Sequence, residues 1–315
     1  MELYKPAGSS AHPAGTGVGR AAAGLVPTMP VAGAKTLVAP AKLTLSLRVT
    51  GTRPDGYHLI DSEMVTINLF DTLTFEPGRG IATVDNVVGA QGLYEMPESA
   101  ANLVHQALVR VGRDVAVRLV KTIPIGAGLG GGSADAAAVL RWAGRTEIAT
   151  AARLGSDVPF CVSGGRARVT GVGEVVEPLE FQDRRFVLLI PPIVVDTGSV
   201  YKMWDSLAWT GGGVRTANGS GNGAGVAGRV ARGGNDLEAP AVAAAPELAR
   251  WRDALGDLTG RSPRLAGSGS TWFVEGEPDQ LGIGDRTFLV LRGARAPLVA
   301  VRTVPPMPLV PSAES

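Results

Sequence analysis

The chain has 315 residues, of which 45% are hydrophobic and 19% are charged, a balance that allows a buried core and excludes disorder throughout the chain. The 30 basic and 29 acidic residues leave a formal net charge of +1, which disfavours a protein that binds nucleic acid by neutralising many phosphates. One cysteine and three histidines exclude an internal disulfide and the usual zinc-ligand sets.

The start of the chain predicts neither a signal peptide nor a membrane anchor. Residues 1–28 are rich in Ala, Gly, Pro and Ser and contain no continuous hydrophobic stretch of the kind found in a secretory signal. We interpret residues 1–34 as a disordered tail. No later stretch approaches the roughly 20 apolar residues that a membrane helix needs. The sequence therefore predicts a cytoplasmic protein without membrane contact.

A strand, a turn and a second strand are predicted next. Every second residue from 43 to 49 is apolar, which is typical of a half-buried β-strand and places Lys42 and Thr44 together on the face opposite the core. Residues 51–56 (GTRPDG) have the composition of a turn. Alternating apolar residues at 65–69 predict the second strand.

A helix and a third strand follow. Apolar residues recur at helical spacing between 103 and 111, and Ser99 can cap this helix while Gly112 ends it. Alternation between 115 and 119 then predicts a strand.

Residues 124–133 form a glycine-rich loop between this strand and a run of helix formers at 134–140. Such a loop binds anions, because unpaired N–H groups and the positive end of the helix dipole point to one place. The loop matches G-x-G-x-x-G formally, but the acid expected about 20 residues later in a dinucleotide-binding fold is missing. No Gly-Lys-Ser/Thr of a Walker A loop follows either. We predict a phosphate-binding loop outside both common nucleotide-binding classes.

The rest of the chain predicts a helix over 238–258 and strands at 271–275 and 287–291. The glycine-rich stretch at 211–234 has low complexity, and we interpret it as a flexible surface insertion. Strands and helices are interspersed without a strict repeat, so the predicted fold class is α+β with two lobes.

Five motifs, taken in order, resemble the GHMP kinase superfamily. They are PAKLTL at 40–45, DGYH at 55–58, PIGAGLGGGSA at 124–134, LGSDVP at 154–159 and LAGSGST at 265–271. The match is closest to the branch that phosphorylates a cytidine-diphosphate-linked methylerythritol. This resemblance implies an N-terminal lobe related to ribosomal protein S5 domain 2 at 35–180 and a ferredoxin-like C-terminal lobe at 181–305. The active site would lie between the lobes, and residues 306–315 would form a tail.

The resemblance also implies a reaction. The γ-phosphoryl group of ATP, with Mg²⁺, would go to the 2-hydroxyl of the cytidylylated acceptor in non-mevalonate isoprenoid synthesis. Lys42 matches the catalytic lysine, which would stabilise charge or lower the pKa of the hydroxyl. Asp157 matches the catalytic aspartate and would act as general base, although an Asp before Val158 and Pro159 is also typical of a helix cap.

The remaining site residues fall into three groups. ATP binding is assigned to Pro124, Ile125, Gly126, Ala127, Gly128, Leu129, Gly130, Gly131, Gly132, Ser133, Ala134 and Asn102. Ser133 and Asp135 are the candidate Mg²⁺ ligands. The acceptor would contact Tyr57, His58, Tyr201 and Thr44, because an aromatic face can stack on a pyrimidine and polar side chains can bind its edge. Thr44 replaces the Asn that is usual in this family, and the segment between Leu140 and Leu154 is short.

Three other functions stay open. One alternative is an acceptor of the homoserine or mevalonate type, against which Tyr57 and His58 argue. A dinucleotide-dependent oxidoreductase would use the loop at Gly126. An RNA binder related to ribosomal protein S5 is disfavoured by the balanced charge and by the presence of Lys42 and Asp157. We expect a small-molecule substrate, no nucleic acid, and a monomer or homodimer.

Overall fold

A computed structural model describes residues 33–85, 102–210 and 234–307. These residues form two β-sheets with helices packed on them, as expected of an α+β fold. Three predicted segments lie almost entirely outside the described residues. They are the tail at 1–34, the glycine-rich insertion at 211–234 and the tail at 306–315.

The first sheet is built around its second strand. Its members are β1 (Lys35–Thr52), β2 (His58–Glu76), β3 (Gly80–Asp85), β4 (Ala116–Lys121), β5 (Arg166–Gly171) and β6 (Val175–Pro178). One edge of β2 pairs with β1, while the other pairs with β5 and then β4, all antiparallel. β3 runs parallel to β4. The strands predicted from alternation at 43–49 and 65–69 lie within β1 and β2, whereas the short strands β3, β5 and β6 were not predicted.

The second sheet has the order β10-β11-β7-β9-β8 and is antiparallel throughout. Its strands are β7 (Arg185–Leu189), β8 (Arg264–Leu265), β9 (Trp272–Glu275), β10 (Phe288–Leu291) and β11 (Ala294–Arg302). The predictions at 271–275 and 287–291 match β9 and β10 to within one residue. β10 and β11 form a hairpin whose turn residues, Arg292 and Gly293, both have positive φ, as a tight two-residue hairpin turn requires.

The helices are α1 (Leu103–Val111), α2 (Gly131–Trp142), α3 (Ile148–Ala152), α4 (Val158–Ser163), α5 (Thr197–Thr210), α6 (Glu238–Ala244) and α7 (Glu247–Thr259). The prediction of one helix over 238–258 is wrong. Ala245, the residue before Pro246, has the non-helical angles φ −138° and ψ 83°, because proline disfavours the helical conformation in its predecessor. Within the described ranges, no helix has the length and apolar character needed to cross a membrane.

Helix α1 is capped by Asn102, so the prediction of Ser99 as the cap is wrong. The Asn102 Oδ1 atom accepts a hydrogen bond from the Val104 N–H at 2.8 Å, as an N-cap side chain does. Ser99 itself lies outside the described residues. The predicted end is confirmed, since Gly112 adopts the left-handed conformation at φ 63°.

Strand β1 is buried on both faces. Leu43 and Leu45 belong to an apolar core between the two sheets, whereas Leu47 belongs to a larger core that joins both sheets to the helices. The expectation that Lys42 and Thr44 lie on a face opposite the core is wrong in one respect, because their exposed fractions are only 5% and 1%. They do share a face, but other loops of the chain cover it.

Cys161 in α4 is a buried free cysteine. Burial raises the pKa of its thiol to about 12, so little reactive thiolate forms near neutral pH. We expect an aromatic disulfide reagent at about pH 8 to label native Cys161 at least about 100 times more slowly than the urea-unfolded chain. Equal labelling rates in the two states would contradict the packing of α4.

Candidate active site

A cavity of about 390 Å³ lies where β1, the glycine-rich loop and the starts of α2, α4 and α5 meet. The predicted site residues that line it are Lys42, Thr44, His58, Asn102, Pro124, Ile125, Gly126, Ala127, Gly128, Gly130, Gly131, Gly132, Ser133, Asp135, Asp157 and Tyr201. A larger cavity of about 690 Å³ between β3, α1 and residues 112–115 shares Asn102 but contains neither Lys42 nor Asp157.

Three predicted residues stand apart from this lining. Leu129 and Ala134 belong to the same loop and helix, but their side chains are buried in the two apolar cores, where they anchor the loop. Their side chains therefore cannot contact a ligand in the cavity, and only their backbone groups belong to the loop that surrounds it. Tyr57 is 64% exposed in the turn between β1 and β2 and is not part of the cavity wall.

Lys42 and Asp157 meet at the cavity although they are far apart in sequence. The Lys42 Nζ atom lies 3.4 Å from Asp157 Oδ2 and donates a hydrogen bond to Thr44 Oγ1 at 3.0 Å. Asp157 occupies the N-cap position of α4, but its carboxylate does not cap the helix. Asp157 therefore stands where a cap residue is expected, but its side chain is directed to Lys42 and not to the helix N–H groups. An ammonium and a carboxylate thus point to one place in the cavity.

The glycine-rich loop requires glycine for steric reasons. Gly128 has φ +77°, and a Cβ there would lie 2.2 Å from the Ala266 carbonyl oxygen and 2.7 Å from that of Gly269. A Cβ at Gly130 would lie 2.8 Å from Lys42 Cγ. The loop therefore packs against a second glycine-containing loop and against the side chain of Lys42. Gly130 is also the N-cap of α2 and has no side chain with which to cap it, so the first N–H groups of this helix stay available to a ligand.

A buried ion cluster supports the loop from behind. Lys121 Nζ donates to Asp71 and, at 2.8 Å, to Asp135 Oδ2, and all three side chains are almost fully buried. The second Asp71 oxygen accepts the N–H groups of Thr122 and Ile123, just before the loop begins. Burial, reinforced by Asp71, raises the pKa of Asp135 to about 7 despite the neighbouring Lys121.

Two members of this cluster, Asp71 and Lys121, were missed in the sequence. Both carry a signal, because Asp71 continues the buried alternation of Leu69 and Leu73, and Lys121 continues that of Leu119. A charged residue on a buried strand face needs a partner of opposite charge, which predicts such a pair.

The other end of the cavity is aromatic. The rings of His58 and Tyr201 stack with centroids 4.7 Å apart, and Trp204 meets His58 edge-on at 5.4 Å. His58 Nε2 is 3.0 Å from Asp205 Oδ1. Burial raises the pKa of Tyr201 to about 12, so its phenol stays neutral. His58 and Tyr201, which were each predicted to contact the acceptor, lie together here with their rings stacked on each other, whereas Trp204 and Asp205 were not predicted.

Comparisons with known proteins agree on one family. Residues 95–165 match the family model "GHMP kinases N terminal domain". A 4-diphosphocytidyl-2-C-methyl-D-erythritol kinase of Cereibacter sphaeroides is 38% identical over 255 residues, which cover 75% of this chain and 87% of the relative. The enzyme of the same name from Paracoccus denitrificans is 38% identical over 244 residues, covering 75% and 84%. A crystal structure of 4-(cytidine 5'-diphospho)-2C-methyl-D-erythritol kinase superposes with a TM-score of 0.62 at 30% identity, covering 86% of this chain and all of that one.

Proposed function

This chain belongs to the 4-diphosphocytidyl-2-C-methyl-D-erythritol kinase family of GHMP kinases, and from that premise we propose that it transfers the γ-phosphoryl group of ATP to the 2-hydroxyl of 4-diphosphocytidyl-2-C-methyl-D-erythritol. The product serves isoprenoid synthesis by the non-mevalonate route. The observation that carries the proposal is the placement of Lys42 and Asp157, 3.4 Å apart, at a cavity that the glycine-rich loop also lines. Phosphoryl transfer needs positioning and charge stabilisation more than covalent chemistry, and these groups supply both.

The two charged residues have different roles in this reaction. The Asp157 carboxylate accepts the proton of the attacking hydroxyl as general base. The Lys42 ammonium stabilises negative charge on the transferring group and the attacking oxygen. Thr44 accepts a hydrogen bond from Lys42 and so fixes the direction of the ammonium, while its own O–H can donate to the acceptor.

The glycine-rich loop is suited to the phosphates of ATP. Its glycines leave the cavity free of side chains, and the first turn of α2 at Gly131, Gly132 and Ser133 borders the same space. Backbone N–H groups at a helix start bind phosphate oxygens. Asn102 uses its amide oxygen to cap α1, and we place the rest of its amide beside the nucleoside of ATP.

A magnesium ion fits beside Ser133 and Asp135. Asp135 Oδ1 is buried without a hydrogen-bond partner, although it belongs to a residue of the cavity wall. Across the described ranges, no group of three or more His, Cys, Asp or Glu side chains is placed to hold a metal. Mg²⁺ suits such a site, because it takes one or two carboxylates and completes its shell with water and phosphate oxygens. When bound, it would offset the charge of the phosphates.

We place the cytosine of the acceptor at the aromatic end of the cavity, near Tyr57, His58 and Tyr201. The exposed ring of Tyr57 is available for stacking, and the imidazole of His58 can bind a base edge. Both substrates are small molecules, and we propose that the protein acts on them in the cytoplasm.

Replacing Tyr57 with Ala is expected to raise the KM for the cytidylylated acceptor by about 5- to 150-fold, which corresponds to about 1–3 kcal/mol of lost stacking. The KM for ATP should change little, since the base lies away from the phosphates. Tyr57→Phe is the matched control and should keep most of the affinity. A Tyr57→Ala enzyme with weakened ATP binding and an unchanged acceptor KM would show that the two nucleotides occupy the opposite pockets.

The direct test of the function is ADP release by the purified protein with a panel of acceptors. We expect turnover with 4-diphosphocytidyl-2-C-methyl-D-erythritol and none with homoserine, mevalonate or galactose. Turnover of another acceptor in the panel would refute the substrate assignment. ATP with Mg²⁺ should also raise the melting temperature, whereas NAD(P)H should not, because only a ligand of the native state stabilises it.

A further inference from the structure

Asn235 lies where residues 234–237 meet strand β1. Asn235 forms an isolated parallel bridge with Leu47. The Leu47 N–H donates to the Gly234 carbonyl at 3.0 Å, and the Asp236 N–H donates to the Leu47 carbonyl at 2.8 Å. Asp236 adds a side-chain bond, accepting the Val49 N–H at 2.9 Å. The backbone at Asn235 is therefore fixed to β1, the strand that carries Lys42.

The side chain of Asn235 reaches from there to the segment between β8 and β9. Its Nδ2 atom donates to the Leu265 carbonyl at 3.0 Å and to the Gly267 carbonyl at 2.6 Å. Its Oδ1 atom accepts the Leu237 N–H at 2.9 Å. Exchanging the amide oxygen and nitrogen would set oxygen against two carbonyl oxygens, so the partners fix the orientation. Both N–H groups of the amide are used, and an Asp of equal size can supply neither.

Residues 266–271, which we call the 266–271 loop, form one wall of the candidate active site. Gly267 and Ser268 line the cavity. A Cβ at Gly267 would lie 3.2 Å from Lys42 Nζ, so this backbone lies beside the ammonium. The Ala266 carbonyl occupies the space that a side chain at Gly128 would need. A shift of this loop therefore changes the surroundings of Lys42 and of the glycine-rich loop together.

We propose that Asn235 is a positioning residue for phosphoryl transfer, which it serves by holding the 266–271 loop against Lys42 and Gly128. The inference rests on the proposed kinase function. Asn235 belongs to none of the five recognised motifs, and its contacts join β1 to a loop whose bonded residue, Gly267, lies 32 residues further along the chain. Its action on the reaction passes through backbone carbonyl groups, so it touches no reacting atom.

The test compares Asn235→Asp with Asp236→Asn. Asn235→Asp keeps the size and the acceptor for Leu237, removes both donated bonds, and faces the carbonyl groups with a carboxylate. We expect its kcat to fall about tenfold or more, with the KM for the acceptor changed less than about threefold. The reason is the loss of the two hydrogen bonds to the Leu265 and Gly267 carbonyls, which hold the loop beside Lys42. Asp236→Asn keeps an acceptor for Val49 and should retain a kcat within about twofold of wild type.

Hydrogen exchange of the unliganded protein gives a readout that does not depend on activity. The N–H groups of Gly269 and Thr271, bonded to the Ala266 and Ala127 carbonyls, should exchange about tenfold faster in Asn235→Asp and unchanged in Asp236→Asn. If Asn235→Asp does not fold, Asn235→Ala is measured in the same way.

Two results would overturn the inference. One is a folded Asn235 variant with wild-type kcat, whatever its melting temperature, and the other is unchanged exchange in the 266–271 loop. A wild-type protein without activity on the cytidylylated acceptor would instead refute the proposed function. The exchange comparison would in that case still decide whether Asn235 holds the loop.

Discussion

Asp157→Asn is expected to lower kcat by at least about 100-fold, the range typical of losing a general base. Asparagine has nearly the same shape, so the substitution removes the charge and the basic oxygen without opening a cavity. The carboxylate does not cap α4, and its side chain is 29% exposed, so the fold should tolerate the change. The measurement is steady-state ADP release at saturating ATP and acceptor, with a thermal melt to establish folding.

A matched control for Asp157→Asn is Asp253→Asn, an exposed acid on α7 whose substitution removes the same charge outside the motifs and outside the cavity wall. It should leave kcat within about twofold of wild type. Wild-type turnover by well-folded Asp157→Asn protein would remove Asp157 from the role of base.

Lys42→Ala should also lower kcat by at least about 100-fold, because the ammonium stabilises charge that develops during transfer. Its stem packs against Gly130, so alanine also removes buried apolar contacts. Lys42→Met keeps most of that packing and loses only the charge. We expect both variants to be equally impaired in kcat, with the methionine variant melting closer to wild type. Restored turnover in Lys42→Met would show that packing, and not the ammonium, is what the reaction needs.

The double variant Lys42→Ala/Asp157→Asn tests whether the two residues act together. Groups that serve one step are strongly non-additive, so the double variant should lose little more activity than the worse single variant. Fully additive losses would indicate that Lys42 and Asp157 support different steps, despite the 3.4 Å between them.

Local patterns in the sequence were sufficient for the long elements. Alternation identified parts of β1 and β2, and helical spacing identified α1. The short strands β5 and β8 have no pattern of sufficient length. The break between α6 and α7 at Pro246 was missed because apolar residues recur at helical spacing on both sides of it. Burial of Lys42 and Thr44 was not predictable from β1, because the residues that cover them come from the loops at 126–130 and 266–271.

In the candidate site too, residues within contiguous motifs were predicted, and residues that depend on a distant partner were not. Motifs located Lys42, Asp157 and the glycine-rich loop, since each motif is contiguous. Partners distant in sequence were not found: Asp71 and Lys121 are 50 residues apart, and His58 and Asp205 are 147 apart. Such pairs depend on how strands and helices come together in the fold. The sequence predicts such a pair only where a charged residue, such as Asp71, interrupts an apolar strand face.

The most direct measurement is the identity of the product formed from ATP and 4-diphosphocytidyl-2-C-methyl-D-erythritol by the wild-type enzyme. Phosphorus NMR with mass spectrometry should show one added phosphoryl group, present as a monoester on the 2-hydroxyl, in equal amount to the ADP released. ADP release without a phosphorylated acceptor, or a phosphoryl group on a different hydroxyl, would contradict the proposed placement of the acceptor beside Lys42 and Asp157.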